Sequence, residues 1–166
     1  MDSIFNRRSI RRYTDQAVER DQLEKVVKAG MAAPSATNQQ PWHFIVLTDR
    51  DRMLDITAVH PHSNMLKEAA AAIVVCFDPL LENIKGFLPQ DCAAATQNML
   101  LMIDELGLGG VWLGVHPNKE REDQIREIIG CPGDIVPFSI IALGHPAEKK
   151  PANDRYHLER VHWEGW

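Results

Sequence analysis

Four arginines and one serine lie close together in the stretch NRRSIRRY, which covers residues 6–13 of an acidic chain. A guanidinium group presents a planar fork of N–H donors that matches phosphate and carboxylate oxygens, and a serine hydroxyl adds another donor. The side chains that carry this chemistry are Arg7, Arg8, Ser9, Arg11 and Arg12. The stretch is therefore a candidate site for a phosphate or an anionic ring. A targeting label, a nucleic-acid patch, a kinase site and a solvated charged helix end are the alternatives.

A second candidate site is the polar loop PSATNQQPW, residues 34–42. Asn38, Gln39 and Gln40 offer donors and acceptors in succession, which suits the edge of a planar heterocycle. Trp42 would anchor the loop to the core. The same residue types are ordinary turn formers, so a plain turn is the alternative. One predicted helix separates the loop from the arginine stretch, and the two segments together are more specific than either alone.

The composition limits the classes of protein to which the chain can belong. It has 166 residues, enough for one domain, with a net charge of −5 and an isoelectric point near 5.8. Proteins held to nucleic acid by bulk electrostatics are usually basic, so we expect no nucleic-acid partner and only a local anion site. Cys76, Cys92 and Cys131 are odd in number and far apart, which argues against disulfides and zinc and indicates a reducing compartment. We expect no metal, since the histidines form no H-E-x-x-H pattern.

No apolar segment of the printed sequence is long enough to span a membrane. The longest apolar run, Ala69–Phe77, is far shorter than the roughly 18 residues that spanning requires. The sequence TDQAVERDQLEKVV, which follows the arginines, is too polar for the apolar region of an export signal. We therefore expect a cytoplasmic protein with no membrane partner.

Apolar runs alternating with helical patterns predict one central sheet. Strands are expected at residues 43–48, 71–77, 109–115 and 138–144, and helices at 2–8, from 21 to Pro34, at 49–57, 88–106 and 119–129. Because the strands are continuously apolar, we expect helices on both faces of the sheet. Residues 151–166 show no core periodicity yet end in Trp163 and Trp166, so this tail is expected on another surface, such as a partner subunit.

Local signals predict where the helices begin and end. Asp21-Gln22-Leu23-Glu24 is similar to a capping box and is expected to open the second helix. The expected buried face of that helix comprises Leu23, Val26, Val27 and Met31. Asn118 is the predicted N-cap of the last helix, and Gly107 and Gly130 are predicted to end helices.

The two candidate segments, in this order and at this spacing, resemble the nitroreductase family of flavoproteins. The similarity covers nearly the whole chain and rests on RRSIRRY, APSATNQQPWHF, MLKEAAAAIVVCF, ELGLGGVWLG and FSIIALGHPAE, with Arg155 in the tail. It implies an α+β fold of three layers, α/β/α, with a central mixed, mainly antiparallel sheet covered by helices. It also implies an intertwined homodimer of one FMN-binding domain, residues 1–166, whose tail 151–166 packs on the partner.

The resemblance implies two FMN sites at the dimer interface, each built from both subunits. One chain would contact the phosphate, ribityl chain and pyrimidine edge through Arg7, Arg8, Ser9 and Arg11, with Arg155 joining at the phosphate. The partner chain would contribute Pro34, Ser35, Ala36, Asn38 and Gln40. Backbone groups near the ring would come from Leu113 and Gly114, and Asn64 and Lys67 are carried over without a fixed register.

The family's chemistry implies an FMN-dependent NAD(P)H oxidoreductase with no catalytic side chain and no metal, since the flavin carries the reaction. NAD(P)H would deliver a hydride to flavin N5 in a ping-pong cycle, and a nitroaromatic, a quinone or an activated alkene would accept the electrons. Reduction gathers negative charge near N1 and the C2 carbonyl, where a fixed guanidinium stabilises it. Arg11 is the candidate for this role, and Arg12 has no assigned role.

Two features depart from larger members of the family. The link between Phe77 and Leu88 is short, which leaves little chain for a lid, and Gly114 has no side chain where some members carry a polar one. The electron acceptor and the choice between NADH and NADPH therefore stay open. A flavin-binding redox sensor or carrier without turnover, and an enzyme that consumes reduced flavin, are the competing hypotheses.

Overall fold

A computed structural model describes residues 3–166 of the chain. The helices are α1 (Ser3–Asn6), α2 (Arg20–Met31), α3 (Arg50–Val59), α4 (Leu88–Glu105) and α5 (Lys119–Ile129), and the strands are β1 (Trp42–Leu47), β2 (Ala71–Phe77), β3 (Gly109–Gly114) and β4 (Val136–Gly144). Single turns of 3-10 helix lie at Ala36–Asn38, Asn64–Lys67, Pro79–Leu81 and Leu158–Arg160. The predicted short helix at residues 2–8 is found as α1, and its first residue, Asp2, lies outside the described residues.

The four strands form one sheet in the order β1-β2-β4-β3. All three strand pairs are antiparallel. Within residues 3–166 the only parallel pairing is a single bridge between Ser9 and Gly110. The α+β fold with a helix-covered, mainly antiparallel sheet is therefore confirmed.

Each face of the sheet has its own hydrophobic core, because successive side chains of a strand point to opposite faces. On β2, Val74 and Cys76 pack on the face of α3 and α5, whereas Ile73 and Val75 pack on the face of α2 and α4. All seven β2 residues are buried, as the uninterrupted apolar run predicted. Burial raises the pKa of the Cys92 thiol to about 12, so this side chain behaves as a small hydrophobe, as expected.

The capping box at the start of α2 is not formed by the residues that were predicted. The helix begins at Arg20, and the box is formed by Glu19 and Gln22, with the Glu19 N–H donating to Gln22 Oε1 at 3.1 Å. Asp21 instead lies in the first turn and pairs with Lys25 at 3.3 Å, one helical turn away. The prediction of Met31 as buried was also wrong for the single chain, where it is 55% exposed.

The other predicted helix ends are confirmed. Asn118 Oδ1 accepts a hydrogen bond from the Arg121 N–H at 2.9 Å and caps α5. Gly130, with φ of 66°, ends this helix in the left-handed conformation that glycine adopts at little cost. Gly107, with φ of 72°, follows the last turn of α4 in the same way.

The arginine stretch runs along the edge of the sheet formed by β3 and the end of β4. The Ile10 N–H donates to the Gly110 carbonyl at 3.1 Å, and the Thr14 N–H donates to the His145 carbonyl at 2.9 Å. The buried Tyr13 hydroxyl lies 2.7 Å from the Ile10 carbonyl oxygen. This stretch is therefore fixed to the sheet by its backbone, and its arginine side chains project from a rigid segment.

The tail, residues 151–166, contributes nothing to either core. Every residue in it is exposed except Val161, which is half-buried. Trp163 and Trp166 are 83% and 104% exposed in the single chain. That the tail packs on a partner subunit stays a prediction.

Across residues 3–166, the structure contains no helix with the length and apolar character needed to cross a membrane.

We predict that Gly109→Ala destabilises the protein, because a β-carbon at this position would lie 2.7 Å from Ile10 Cγ2 and 2.8 Å from Ile10 Cβ. Relieving such an overlap costs about 1–3 kcal/mol. Urea unfolding measures the free energy of unfolding. Gly133→Ala is the matched control, since its β-carbon would meet nothing within 4 Å. Equal unfolding free energies for the two variants would contradict the close packing of Ile10 on β3.

Candidate functional site

The first candidate pocket is the tail cleft, where α1 and the arginine stretch meet the start of the tail. It has a volume of about 530 Å³ and is lined by Ile4, Phe5, Arg7, Arg8, Ala152, Asn153, Asp154, Arg155 and Tyr156. The structure thus brings Arg7, Arg8 and Arg155 together, although 143 residues separate the hydrogen-bonded pair Arg8 and Pro151. Three guanidinium groups converging on one cleft favour an anionic ligand.

Arg8 is the most constrained of the three arginines. Its Nε donates to the Pro151 carbonyl at 2.7 Å, and its Nη1 lies within 3.1 Å of the Phe5 carbonyl and 2.8 Å of the Arg7 carbonyl. Its Nη2 is buried and has no hydrogen-bond partner among the described residues. A buried donor without an acceptor is costly, so this nitrogen is ready to donate to a ligand oxygen.

The electrostatics of Arg7 agree with an anion site. Burial lowers the pKa of Arg7; Asp104 opposes the shift, whereas Arg155 and Arg8 add to it by repulsion between like charges. The arginines are therefore crowded at some electrostatic cost. A phosphate between them would remove that repulsion.

The second candidate pocket is the β3 cleft, which lies at the end of β3. It has a volume of about 610 Å³ and is lined by Arg11, His60, Pro61, His62, Asn64, Met65, Trp112, Leu113, Gly114 and Arg121. Four predicted site residues therefore meet here: Arg11, Asn64, Leu113 and Gly114. Lys67 does not line the cleft; its side chain is exposed, and its carbonyl accepts from Arg50 Nη1 at 3.1 Å.

Gly114 lines the β3 cleft at an exposed position. A β-carbon built on it would meet nothing within 4 Å. Its carbonyl oxygen accepts from His60 Nε2 at 2.9 Å and from Arg121 Nη1 at 2.9 Å. These two donors fix the end of β3. Because Gly114 has no side chain, space for a planar ligand remains above it.

His60 is held in one tautomer. Its Nε2 faces a carbonyl oxygen and therefore carries the proton, while its Nδ1 accepts from the His62 N–H at 3.2 Å. Burial lowers the pKa of His60, and the neighbouring Arg121 lowers it further, although the Gly114 hydrogen bond opposes the shift. The ring is therefore neutral near pH 7 and acts as a directed donor. Within the part of the chain that is described, no three potential ligands are grouped to hold a metal ion.

The backbone between Arg8 and Arg11 connects the two clefts. Ser9 forms the bridge to Gly110, and its carbonyl accepts from Lys150 Nζ at 2.6 Å. The Arg11 N–H donates to Glu148 Oε1 at 2.6 Å, and this bond holds the pKa of Glu148 below its usual range. One extended segment therefore presents side chains to both pockets.

The polar loop lies away from both clefts in its own chain. Its predicted site residues, Pro34, Ser35, Ala36, Asn38 and Gln40, line neither of them. Thr37, Asn38 and Gln40 have φ of 49°, 58° and 45°, a region that non-glycine residues seldom adopt. Such backbone strain persists only when the surrounding structure enforces it.

A buried carboxylate enforces the conformation of this loop. Asp91, 4% exposed at the start of α4, accepts from the Ala36 N–H at 2.9 Å and from Gln39 Nε2 at 2.6 Å. Gln39 Oε1 in turn accepts from the Asn83 N–H at 2.9 Å. Gln39 therefore supports the loop from inside, with both ends of its amide engaged within this chain. That the loop contacts the edge of a heterocycle stays a prediction.

Sequence reasoning missed His60, Arg121 and Asp91. HPH at residues 60–62 matches no pattern that indicates a role at the end of β3, and nothing in the sequence near Arg121 indicates that it reaches that strand. Asp91 is one of the few polar residues in the long, largely apolar sequence of α4. An isolated acid in such a helix is a signal for a buried hydrogen-bonding role.

The sequence and the fold match known proteins over nearly the whole chain. The Nitroreductase family model matches residues 4–84 and 57–145. A provisionally named NADH dehydrogenase/NAD(P)H nitroreductase of Methanothermobacter thermautotrophicus is 45% identical, over 100% of this chain and 87% of that protein. The chain therefore belongs to the nitroreductase family, and the predicted class of enzyme, an oxidoreductase of this family, is confirmed.

Two crystal structures illustrate the similarity of fold. A provisionally named NADH oxidase from Clostridium acetobutylicum has a TM-score of 0.95 and 42% identity, with 99% of this chain and 100% of that chain covered. A provisionally named nitroreductase from Desulfovibrio desulfuricans, in complex with FMN, has a TM-score of 0.85 and 33% identity, with 99% and 96% covered.

We predict that Asp91→Asn destabilises the loop and the protein. Asparagine has one acceptor oxygen for two donors, the Ala36 N–H and Gln39 Nε2. One hydrogen bond is therefore lost and two donor groups face each other, which lowers the free energy of unfolding by about 1–3 kcal/mol. Urea unfolding measures the loss, and proteolysis within residues 34–40 should become faster. Asp55→Asn, on an exposed part of α3, is the control. Stability equal to that of the control would mean that Asp91 does not hold the loop.

Proposed function

We propose that the protein is an FMN-dependent NAD(P)H oxidoreductase whose cofactor uses both clefts. Arg7, Arg8 and Arg155 would hold the phosphate in the tail cleft, and Arg11, Leu113 and Gly114 would receive the ring in the β3 cleft. The observation that carries this proposal is the unpartnered, buried Nη2 of Arg8, in a cleft where two further guanidinium groups meet.

The residues present suit this cofactor. The tail cleft offers charged donors for a phosphate, Ser9 lies between the clefts, and Gly114 leaves open space at the end of β3. The names of two relatives support the same reading: one carries NAD(P)H nitroreductase in its name, and the other was crystallised with FMN.

When bound, FMN would supply two-electron chemistry, taking a hydride from NAD(P)H and passing the electrons to a nitroaromatic, a quinone or a similar acceptor. The residues of the chain bind and orient. Arg11 would place a positive charge beside the pyrimidine edge, where reduction increases negative charge. His60 and Arg121 would keep the Gly114 carbonyl fixed. No side chain is needed as an acid or a base in this scheme.

A second copy of the chain would complete each site. The polar loop is held in a strained conformation by buried contacts, yet lines no cleft of its own chain. The tail exposes two tryptophans in the single chain, and tryptophan is enriched in the buried centres of protein interfaces. We therefore propose a homodimer in which the loop of one subunit reaches the FMN of the other through Pro34, Ser35, Ala36, Asn38 and Gln40. Lys67 has no proposed contact within its own chain.

The purified protein is expected to be yellow and to contain about one FMN per chain. Anaerobic addition of NADH or NADPH should bleach the flavin, and a nitroaromatic or a quinone should then restore the colour. A protein that retains no FMN after reconstitution would contradict the proposal. Bound flavin that stays oxidised with both nucleotides would instead indicate a flavin carrier, a redox sensor or an enzyme that takes up reduced flavin.

We predict that Arg11→Ala weakens FMN retention by about tenfold, as expected for the loss of one charged hydrogen-bond donor at an exposed site. The midpoint potential of the bound flavin should also become more negative, because the reduced form loses its stabilising charge. Equilibrium dialysis and a spectroelectrochemical titration measure the two effects. Arg12→Ala is the control, since Arg12 is exposed and paired with Glu68 at 2.9 Å. If the Arg11 variant retained FMN as well as the control and had the same midpoint potential, Arg11 would not have this role.

A further inference from the structure

Gly114 is a glycine at the end of a strand, yet its carbonyl is held in place. It is the last residue of β3, and the two N–H groups that follow it both donate to the Phe138 carbonyl, at 3.1 and 3.0 Å. Glycine loses more conformational freedom on folding than any other residue, so a fixed glycine here requires partners. The partners are the side chains of His60 and Arg121, which reach its carbonyl from outside the sheet.

His60 is the more rigid of these two donors. It is 2% exposed, and both ring nitrogens are engaged: Nε2 donates to the Gly114 carbonyl at 2.9 Å and Nδ1 accepts from the His62 N–H at 3.2 Å. Arg121 is half-buried and reaches the same carbonyl through Nη1, at the end of a long side chain. The orientation of the Gly114 carbonyl therefore depends chiefly on His60.

The backbone of His60 joins two walls of the β3 cleft. Its N–H donates to the Ile56 carbonyl at 3.0 Å, at the end of α3, and its carbonyl accepts from the buried Ser63 Oγ at 2.7 Å. Ser63 precedes the 3-10 turn that begins at Asn64, and Asn64 lines the cleft. One residue thus connects the turn that carries Asn64 to the strand end that carries Gly114.

This arrangement requires a neutral imidazole ring. Protonation of Nδ1 would place an N–H group opposite the His62 N–H, two donors without an acceptor. The charged and titratable groups that act on His60 are Arg121 from α5 and His62 from its own turn, and Arg11 of the arginine stretch lines the same cleft. Among residues 3–166, those that line the cleft include no aspartate or glutamate that would stabilise a charged ring.

We propose that His60 is a positioning residue of the flavin site: it holds Gly114 in place through Nε2, and it does so only as a neutral imidazole. This inference rests on the proposed function, in which Gly114 receives the ring of FMN. It assigns to His60 an effect on the cofactor that acts through another residue, and it makes the retention of FMN sensitive to acid.

The direction of the pH effect follows from the two states of His60. Burial, together with Arg121, lowers the pKa of His60 in the closed site, whereas the pKa of a released ring would be the ordinary value of about 6.5. The released state therefore takes up a proton first as the pH falls below about 6.5, and FMN retention weakens in acid. At pH 5.5 this uptake disfavours the closed site by up to about tenfold.

Two substitutions separate the hydrogen-bond donor of His60 from its bulk. The amide nitrogen of His60→Gln can take the place of Nε2, whereas that of His60→Asn ends closer to the backbone and falls short of Gly114. At pH 7.5, equilibrium dialysis should show FMN binding about tenfold more weakly to His60→Asn and within about threefold of the wild type to His60→Gln. The visible circular dichroism of the bound flavin should change in His60→Asn alone. His43→Gln, at an exposed position of β1, is the matched control.

FMN dissociation constants at pH 5.5 and 7.5 test the need for a neutral ring. The FMN phosphate titrates in every variant, so the difference between the wild type and His60→Gln isolates the imidazole. The ratio of the two constants should be larger in the wild type, by up to about tenfold, because glutamine does not titrate. Equal ratios, or a His60→Gln variant that binds FMN as weakly as His60→Asn, would overturn the proposal.

Hydrogen exchange on the protein as purified, whatever its flavin content, tests the contact itself. Amide exchange in residues 60–66 and 113–117 should become faster in His60→Asn and stay unchanged in His60→Gln. Unchanged exchange in His60→Asn would overturn the proposal even where FMN binds. A protein that retains no FMN would contradict the proposed function instead, and the exchange rates would then decide the contact between His60 and Gly114 alone.

Discussion

The hydrogen bond from the Ile10 N–H to the Gly110 carbonyl, 3.1 Å long, is the interaction on which the site depends. It fixes a segment without regular secondary structure to the rim of the sheet. Because Ser9 and Ile10 are fixed in this way, the side chains on either side of them are directed to different places. Arg8 lies in the tail cleft and Arg11 in the β3 cleft. The absence of a side chain at Gly109 permits this close approach.

The buried carboxylate of Asp91 has a comparable role on the other side of the sheet. It satisfies a backbone N–H and a side-chain amide of a loop that would otherwise relax from its left-handed conformations. A charge inside the protein is tolerated when hydrogen bonds surround it. The fold thus holds two polar segments rigidly: the arginine stretch through backbone hydrogen bonds to the sheet, and the loop through the side chain of Asp91.

The strands were the part of the fold that the sequence predicted best. β2 was predicted without error at Ala71–Phe77, because burial on both faces leaves a run that contains no polar residue. The N-cap of α2 was misplaced by two residues, since two overlapping capping-box patterns begin at Glu19 and at Asp21, and the helix uses the first. For the site, the structure groups seven of the residues expected from sequence similarity in two clefts: Arg7, Arg8 and Arg155 in one, and Arg11, Asn64, Leu113 and Gly114 in the other. Sequence reasoning could not find Arg121, because Arg121 reaches the end of β3 only as a result of how α5 packs against α3 and β4, and that packing leaves no local pattern.

In the proposed FMN site, the short distance along the chain between Arg8 and Arg11 would also limit which flavins contact both clefts. Three residues of extended backbone span at most about 10 Å, and the sheet prevents this length from changing. The segment therefore sets the distance between the two clefts. A ligand that contacts both must carry its ring and its anionic end at a matching separation. A flavin without a terminal phosphate would reach only one of the two anchoring points, so selection among flavins would follow from covalent geometry rather than from side-chain adaptation.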